Sequence, residues 1–126
     1  MARSGDQRVV ATTIDEVVAG SEVRVAGPLD VHSVADVRTV LGRMIDDGAG
    51  DLVLHLADAE IGDATGLGVI VGAHRRAMRA GRRLVLADTS PRLERLLRAT
   101  KLGRVIAVDR SVPAAPSILR PAVGTA

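Results

Sequence analysis

The residues best suited to chemistry lie in the stretch DATGL, residues 63–67, where a carboxylate precedes a hydroxyl. Asp63 is a preferred N-cap, because its side chain can accept hydrogen bonds from the free first-turn N–H groups of a helix. Those N–H groups and the helix dipole concentrate partial positive charge at such a start. The hydroxyl of Thr65 is therefore well placed for a phosphate or for the polar groups of a partner.

A buried strand and a helix must position this stretch. Residues 52–56 (LVLHL) form a nearly continuous apolar run, which is typical of a central strand covered on both faces. The helix that follows is predicted to bury one stripe, consisting of Leu67, Ile70, Val71, His74 and Met78. It is predicted to end at residues 79–81, where Gly81 suits the left-handed position after a helix.

Strands and helices alternate along the rest of the chain. Strands are predicted at residues 8–14, 22–26, 82–87 and 104–108, and helices at residues 33–47 and 92–100. The first two strands are expected to pair as a hairpin around a turn at Gly20 and Ser21, and the second should stop at Gly27-Pro28. Ser33 and Ser90 are the predicted N-caps of the other two helices.

This order, β-β-α-β-α-β-α-β, predicts one α/β domain with a mixed, mostly parallel sheet flanked by helices. The domain is expected to span residues 8–109, between a flexible N-terminus at residues 1–7 and a Pro-rich, disordered tail at residues 110–126. A basic run is interpreted as a solvated helix end that suits the helix dipole; it consists of Arg75, Arg76, Arg79, Arg82 and Arg83.

Composition excludes several classes of function. The chain has 47% hydrophobic residues but no Phe, Trp or Tyr, so its core is aliphatic and it offers no base-stacking platform or aromatic cage. There is no cysteine, and the three histidines fall on separate elements, which argues against a metal site. A net charge of +2 is no signature of nucleic-acid binding.

We expect a cytoplasmic protein without a membrane or nucleic-acid partner. No apolar run approaches the ~20 residues of a membrane span, and the first residues lack the apolar region of a signal peptide. No convergent acid, base and nucleophile set is visible, and there is no Gly-x-Ser-x-Gly elbow. The sequence therefore predicts no catalytic residues, no cofactor and no enzymatic activity.

Two motifs carry a family resemblance. One is the turn GPLD at residues 27–30, and the other runs from residue 52 to residue 108 as LVLHLADAEIGDATGLGVIVGAHRRAMRAGRRLVLADTSPRLERLLRATKLGRVIAV. Over residues 9–108 the chain resembles a bacterial anti-sigma factor antagonist, the small stand-alone form of the STAS domain. The resemblance implies a STAS-like fold for the single α/β domain.

The resemblance also implies a partner, an anti-sigma factor with a GHKL-type serine kinase fold. In that family the unphosphorylated antagonist binds the kinase and a sigma factor is freed. Phosphorylation at the helix start breaks the complex, since a phosphate adds about −1.5 to −2 charge to the contact surface, and a phosphatase resets it. The partner-binding residues that this implies are Asp30, Asp63, Ala64, Thr65, Gly66, Leu67 and Gly68.

The sequence departs from the family pattern at the usual phosphoacceptor. Ala64 stands there and has no hydroxyl, whereas Thr65 keeps one at the next position. Three interpretations follow: Thr65 is the acceptor, the protein binds its partner constitutively, or a serine was deliberately replaced by alanine. His55 is a second departure, on the central strand where the family often carries Asp.

An alternative of a different class is a STAS-type module that binds a nucleotide or assembles with other proteins. The missing hydroxyl at Ala64 gives this alternative its weight. The sequence also leaves open a homodimer through apolar residues of the first helix.

Overall fold

The structure is a computed structural model, and it describes residues 12–109. The predicted N-terminus at residues 1–7, the predicted tail at residues 110–126 and residues 8–11 of the first predicted strand lie outside this range.

One sheet and three helices make up the described chain. The elements in order are β1 (Thr13–Val18), β2 (Glu22–Pro28), α1 (Val34–Asp47), β3 (Asp51–His55), β4 (Ala59–Glu60), α2 (Ala64–Arg79), β5 (Arg83–Ala87), α3 (Pro91–Thr100), a 3-10 turn (Leu102–Arg104) and β6 (Ala107–Asp109). Strands pair in the order β1-β2-β3-β5-β6, with β1 antiparallel to β2 and the others parallel. The predicted α/β domain, with a mostly parallel sheet flanked by helices, is confirmed.

The strand boundaries differ from the prediction at three places. The first strand runs on to Val18 before the turn at Gly20, whose φ is 72°. The second continues through Gly27 and Pro28, which pair with the unpredicted strand β4. The last begins only at Ala107, because residues 102–104 form the 3-10 turn.

A β-bulge separates β3 from the short strand β4, and both strands pair with β2. Between these pairings the chain advances from His55 to Ala59 while β2 advances from Arg24 to Gly27, so the segment from β3 to β4 holds one extra residue. The backbone N–H of Gly27 reaches across the bulge to the Asp58 carbonyl at 2.9 Å. No hydrophobic periodicity marks a two-residue strand, so its pattern in the sequence resembles a loop.

The aliphatic core lies on one face of the sheet. Alternate residues of three neighbouring strands are buried there: Val23, Val25, Leu52, Leu54, Leu84 and Leu86. The helices add Leu41, Ile70 and Leu97 to the same cluster. Strand β3 is central, as predicted, but Val53 and His55 on its other face are only half-buried, so full coverage of both faces was wrong.

The buried stripe of α2 is rotated from the predicted one. Leu67 and Ile70 face the core as expected, whereas Met78 is 61% exposed. The stripe passes instead through small side chains, Ala73 and Ala77, which let the helix lie close to the sheet. The sequence prediction assigned the larger side chains of Val71, His74 and Met78 to the buried stripe. In the structure the smaller alanines are buried instead, because a closely packed core leaves little room there.

Two predicted helix boundaries are formed as expected. The Ser90 hydroxyl oxygen accepts the Leu93 N–H at 3.1 Å, with Pro91 in the first turn of α3. After α2, Gly81 has a φ of 74° and the N–H of the next residue returns to the Ala77 carbonyl at 2.8 Å. This second arrangement is a Schellman motif.

Arg82 corrects the interpretation of the basic run as a solvated surface. Its side chain is 6% exposed and donates to six backbone carbonyl groups at 2.6–3.4 Å. These carbonyls belong to Gly20, Met44, Ile45, Ala49, Gly50 and Asp51. Arg82 thus ties the end of α1 to the β1–β2 turn and to the start of β3, and its charge suits the negative end of the α1 dipole.

Candidate functional site

Three loops meet at the edge of the sheet where the parallel strands β2, β4 and β5 end. They enclose an open cleft of about 460 Å³. It is lined by Pro28, Leu29, Asp30, Ala59, Glu60, Ile61, Gly62, Asp63, Ser90 and Arg92. Because α/β folds place their binding sites at the carboxyl edge of a parallel sheet, this cleft is the candidate binding site.

The start of α2 forms one wall of the cleft. The Asp63 carboxylate accepts the N–H groups of Thr65 at 3.0 Å and Gly66 at 3.3 Å, so its predicted capping role is confirmed. Ala64 is exposed and Thr65 half-exposed, and within residues 12–109 the Thr65 hydroxyl makes no hydrogen bond. A carboxylate, a methyl group and a free hydroxyl therefore face solvent on one turn of helix.

Two of the residues implied by the resemblance are packing residues. Gly66 is buried, and a Cβ built on it would lie 2.9 Å from Ile61 Cγ2 and 3.1 Å from the Leu29 carbonyl oxygen. Leu67 is 8% exposed and belongs to the core. Both are buried in this conformation, whereas Gly68 on the next turn is half-buried. Gly66 instead lets α2 lie directly against the turn that carries Asp30.

Asp30 organises the turn before α1. Its carboxylate accepts the His32 N–H at 2.9 Å, and its carbonyl accepts the Val34 N–H at 2.9 Å. The predicted N-cap Ser33 makes no capping bond, because its hydroxyl donates to the Pro28 carbonyl at 2.7 Å. No side chain therefore caps the first turn of α1, and the Val34 N–H is satisfied by the backbone carbonyl of Asp30 instead. Val31, at the tip of this turn, is 70% exposed.

The cleft is acidic. Three of its lining side chains are carboxylates, those of Asp30, Glu60 and Asp63, and Arg92 is its one cation. Such a surface attracts a positively charged partner group and repels a phosphate. Sequence reasoning found Asp30 and Asp63 but missed Glu60 and Arg92. The signal that was overlooked is topological, because Glu60 ends a parallel strand and the other three residues follow parallel strands, and all these strands end at the same edge of the sheet.

A charged cluster holds the third loop. The ring of His55 lies between two carboxylates, with Nδ1 at 2.9 Å from Asp88 Oδ2 and Nε2 at 2.9 Å from Glu22 Oε1. The cluster joins β2 and β3 to Asp88, a buried residue with a φ of 57° that begins the loop to Ser90. His55 therefore does not line the cleft, but it contacts Asp88, at which one of the cleft's three loops begins.

The described part of the chain holds no group of three His, Cys, Asp or Glu side chains that could bind a metal ion. Nor does any helix between residues 12 and 109 have the length and apolar character needed to cross a membrane.

Comparison with known proteins agrees with this geometry. A family model of the STAS domain matches residues 8–115. The chain belongs to the STAS domain family. The anti-sigma-B factor antagonist of Staphylococcus aureus is 34% identical over 88 residues, which span 70% of this chain and 82% of that protein. The Staphylococcus epidermidis protein of the same name matches over the same shares.

Solved structures of this family share the fold. The unphosphorylated anti-sigma factor antagonist SpoIIAA matches with a TM-score of 0.61 and 19% identity, over 91% of this chain and 96% of that chain. An anti-sigma factor antagonist from Mycobacterium paratuberculosis matches with a TM-score of 0.63 and 20% identity, over 79% and 85%. The predicted STAS-like architecture is confirmed, and so is the resemblance to anti-sigma factor antagonists.

Proposed function

We propose that this STAS domain protein is an anti-sigma factor antagonist. It binds an anti-sigma factor with a GHKL-type serine kinase fold and thereby frees a sigma factor. It does so as a binding protein without catalysis of its own. The docking edge, which we define as Asp30, Asp63, Ala64, Thr65 and Gly68, makes the first contact.

One observation carries this proposal. The turn at Asp30 and the start of α2, which lie 33 positions apart in the chain, are in direct contact through Leu29 and Gly66. Asp30 and Asp63 both line the acidic cleft, and Ala64 is exposed directly after Asp63. The 34% identity to anti-sigma-B factor antagonists supports the same class of partner.

Thr65 is the phosphoacceptor that we propose. Its hydroxyl is accessible on the first turn of α2, and Asp63 already occupies the free N–H groups that would otherwise hold a phosphate. A phosphate on Thr65 would therefore add negative charge close to the Asp63 carboxylate, at the contact surface that we propose. Repulsion and desolvation would then expel the kinase, and a phosphatase would restore binding.

A bulky charge at the docking edge tests the binding site. Ala64→Arg introduces a long cation at an exposed position, so the fold should survive while the complex with the host's anti-sigma kinase weakens roughly a hundredfold. Ala80→Arg makes the same change at the other end of α2, also exposed, and should bind as the wild type does. Equal binding by both variants, measured by calorimetry, would contradict this site.

Paired hydroxyl variants test the modification. Incubation with the cognate kinase and ATP should label the wild type, and Thr65→Ala should abolish labelling. Ala64→Ser restores a hydroxyl at the usual family position and should be labelled faster than the wild type. Full labelling of Thr65→Ala would exclude Thr65 as the acceptor. No labelling of the wild type combined with labelling of Ala64→Ser would indicate a constitutive antagonist.

A nucleotide-binding role is less well supported. The cleft presents three carboxylates against the single guanidinium of Arg92, which disfavours a triphosphate. A thermal-shift titration with ATP and GTP checks this directly, and we expect no stabilisation.

A further inference from the structure

A groove between α1 and α2 begins just below the docking edge. We call it the helix groove. Its apolar floor contains Leu41, Ile45, Val69 and Ala73, and its volume is about 160 Å³. Both helices follow right-handed crossovers between parallel strands, so they start at the same edge of the sheet and run the same way. The groove therefore leads away from the docking edge along the molecule.

No contact within the described residues requires a glycine at position 68 or 72 of α2. A Cβ on Gly68 or Gly72 would meet no atom within 4 Å, although glycine in a helix interior costs roughly 0.5–1 kcal/mol relative to alanine. The contrast is Gly42 on α1, where a Cβ would lie 2.8 Å from the Arg76 guanidinium that crosses over it. Gly42 serves the fold, whereas Gly68 and Gly72 leave room for something outside it.

The rim of the helix groove is positively charged. Arg38, Arg76 and Arg79 line it. Arg76 is held by Asp46 through two hydrogen bonds, at 3.2 and 2.5 Å. Arg38 and Arg79 are exposed and make no ion pair with any residue of the range 12–109. Two free guanidinium groups thus flank an apolar, glycine-lined floor, opposite in charge to the acidic cleft.

We propose that the helix groove seats an acidic segment of the anti-sigma partner. Ala64, Gly68 and Gly72 recur every four residues, so they share one face of α2 that connects the docking edge to the groove. The partner backbone approaches α2 closely over the glycines, and its carboxylates pair with Arg38 and Arg79. The inference rests on the proposed function, because the partner is the one that contacts the docking edge.

Charge reversal with a matched control tests the electrostatic part. The double variant Arg38→Glu with Arg79→Glu should raise the Kd of the anti-sigma complex roughly tenfold or more, because like charges would face each other. Arg43→Glu with Arg98→Glu places the same charges on exposed positions of α1 and α3 that neither line the groove nor share the glycine face of α2. This control should change the Kd less than about threefold at 0.15 M salt.

Gly72→Ala tests the close approach. The new methyl group has open space in the free protein, so the melting temperature should stay the same or rise, while the Kd should increase roughly tenfold. A binding constant unaffected by Gly72→Ala and by the Arg38 and Arg79 reversal would overturn the inference.

The two proposals fail in different ways. If Ala64→Arg abolishes binding while the groove variants bind as the wild type does, the docking edge stands and the helix groove is not a contact. Equal weakening by the test and control arginine pairs would likewise overturn the groove, since net charge would then explain both. Failure of the wild type to bind any anti-sigma factor of its host would overturn the proposed function itself.

Discussion

The two ends of α2 are flanked by polar side chains that act in different ways. At the start, one exposed carboxylate, Asp63, accepts two backbone N–H groups and leaves the surrounding turn open to solvent. Beyond the other end, Arg82 is buried and donates to six carbonyl groups from three separate segments. Asp63 satisfies backbone N–H groups of α2 itself, whereas Arg82 satisfies carbonyl groups of the α1 end and of the turns beside it.

This difference separates stability from function along one helix. A local cap with few contacts can be altered at a modest cost in folding free energy, so its turn is free to carry a modification site. A buried cation bonded to several segments cannot change without disturbing all of them. Variants at the two ends should therefore divide cleanly between those that unfold the protein and those that change its binding.

The largest effect is expected from Arg82→Met. The free energy of unfolding should fall by about 3 kcal/mol or more, since each buried carbonyl left without a donor costs about 1–3 kcal/mol. Urea denaturation measures this, with Arg83→Met as the control because Arg83 is exposed and pairs only at the surface with Asp51. A loss below about 1 kcal/mol would mean that water replaces the guanidinium and that the two ends of α2 are not so different.

A pair of glycine variants sharpens the contrast within the first turns of α2. Gly66→Ala should destabilise the protein by about 1–3 kcal/mol, because the new methyl group overlaps Ile61 and the Leu29 carbonyl. Gly68→Ala, two residues on, meets no atom within 4 Å and should stabilise it by about 0.5–1 kcal/mol. Thermal unfolding decides the signs, and the same sign for both would refute the packing role given to Gly66.

The Asp63 cap should contribute only modestly to the free energy of unfolding. Asp63→Ala should lower the free energy of unfolding by about 1 kcal/mol through loss of its two hydrogen bonds. Asp63→Asn keeps an acceptor and should fold almost as stably as the wild type. A loss in Asp63→Ala as large as that in Arg82→Met would remove the distinction between the two ends.

The smallest effect concerns the exposed pair on the rim of the helix groove. Hydrogen bonds from Arg76 hold the pKa of Asp46 below its usual 3.8. A lowered folded-state pKa contributes stability above the ordinary pKa and loses it as the pH falls through the folded one. The gap in melting temperature between the wild type and Arg76→Ala should therefore be small at pH 7 and should vanish as the pH falls through the lowered pKa of Asp46. A gap that widens in acid would contradict the pairing.

Much of the site was predictable where the interactions are local. Asp63 as a cap, Ser90 before Pro91 and the glycine after α2 depend on residues within a few positions of one another, and all three are formed. The capping assigned to Ser33 was wrong because the competing acceptor, the Pro28 carbonyl, belongs to the preceding strand. Glu60 and Arg92 were missed because their place in the cleft follows from strand order.

The sequence by itself determined the elements, their alternation and the aliphatic nature of the core, because side-chain periodicity and capping act over one or two turns of chain. Only the tertiary structure decided that Arg82 is buried and that Met78 is exposed. It also decided that packing requires a glycine at position 66 but not at positions 68 and 72. The physical reason is that burial and steric contact depend on neighbours distant in sequence. The same arginine, methionine or glycine has no such neighbours until the sheet and helices have packed.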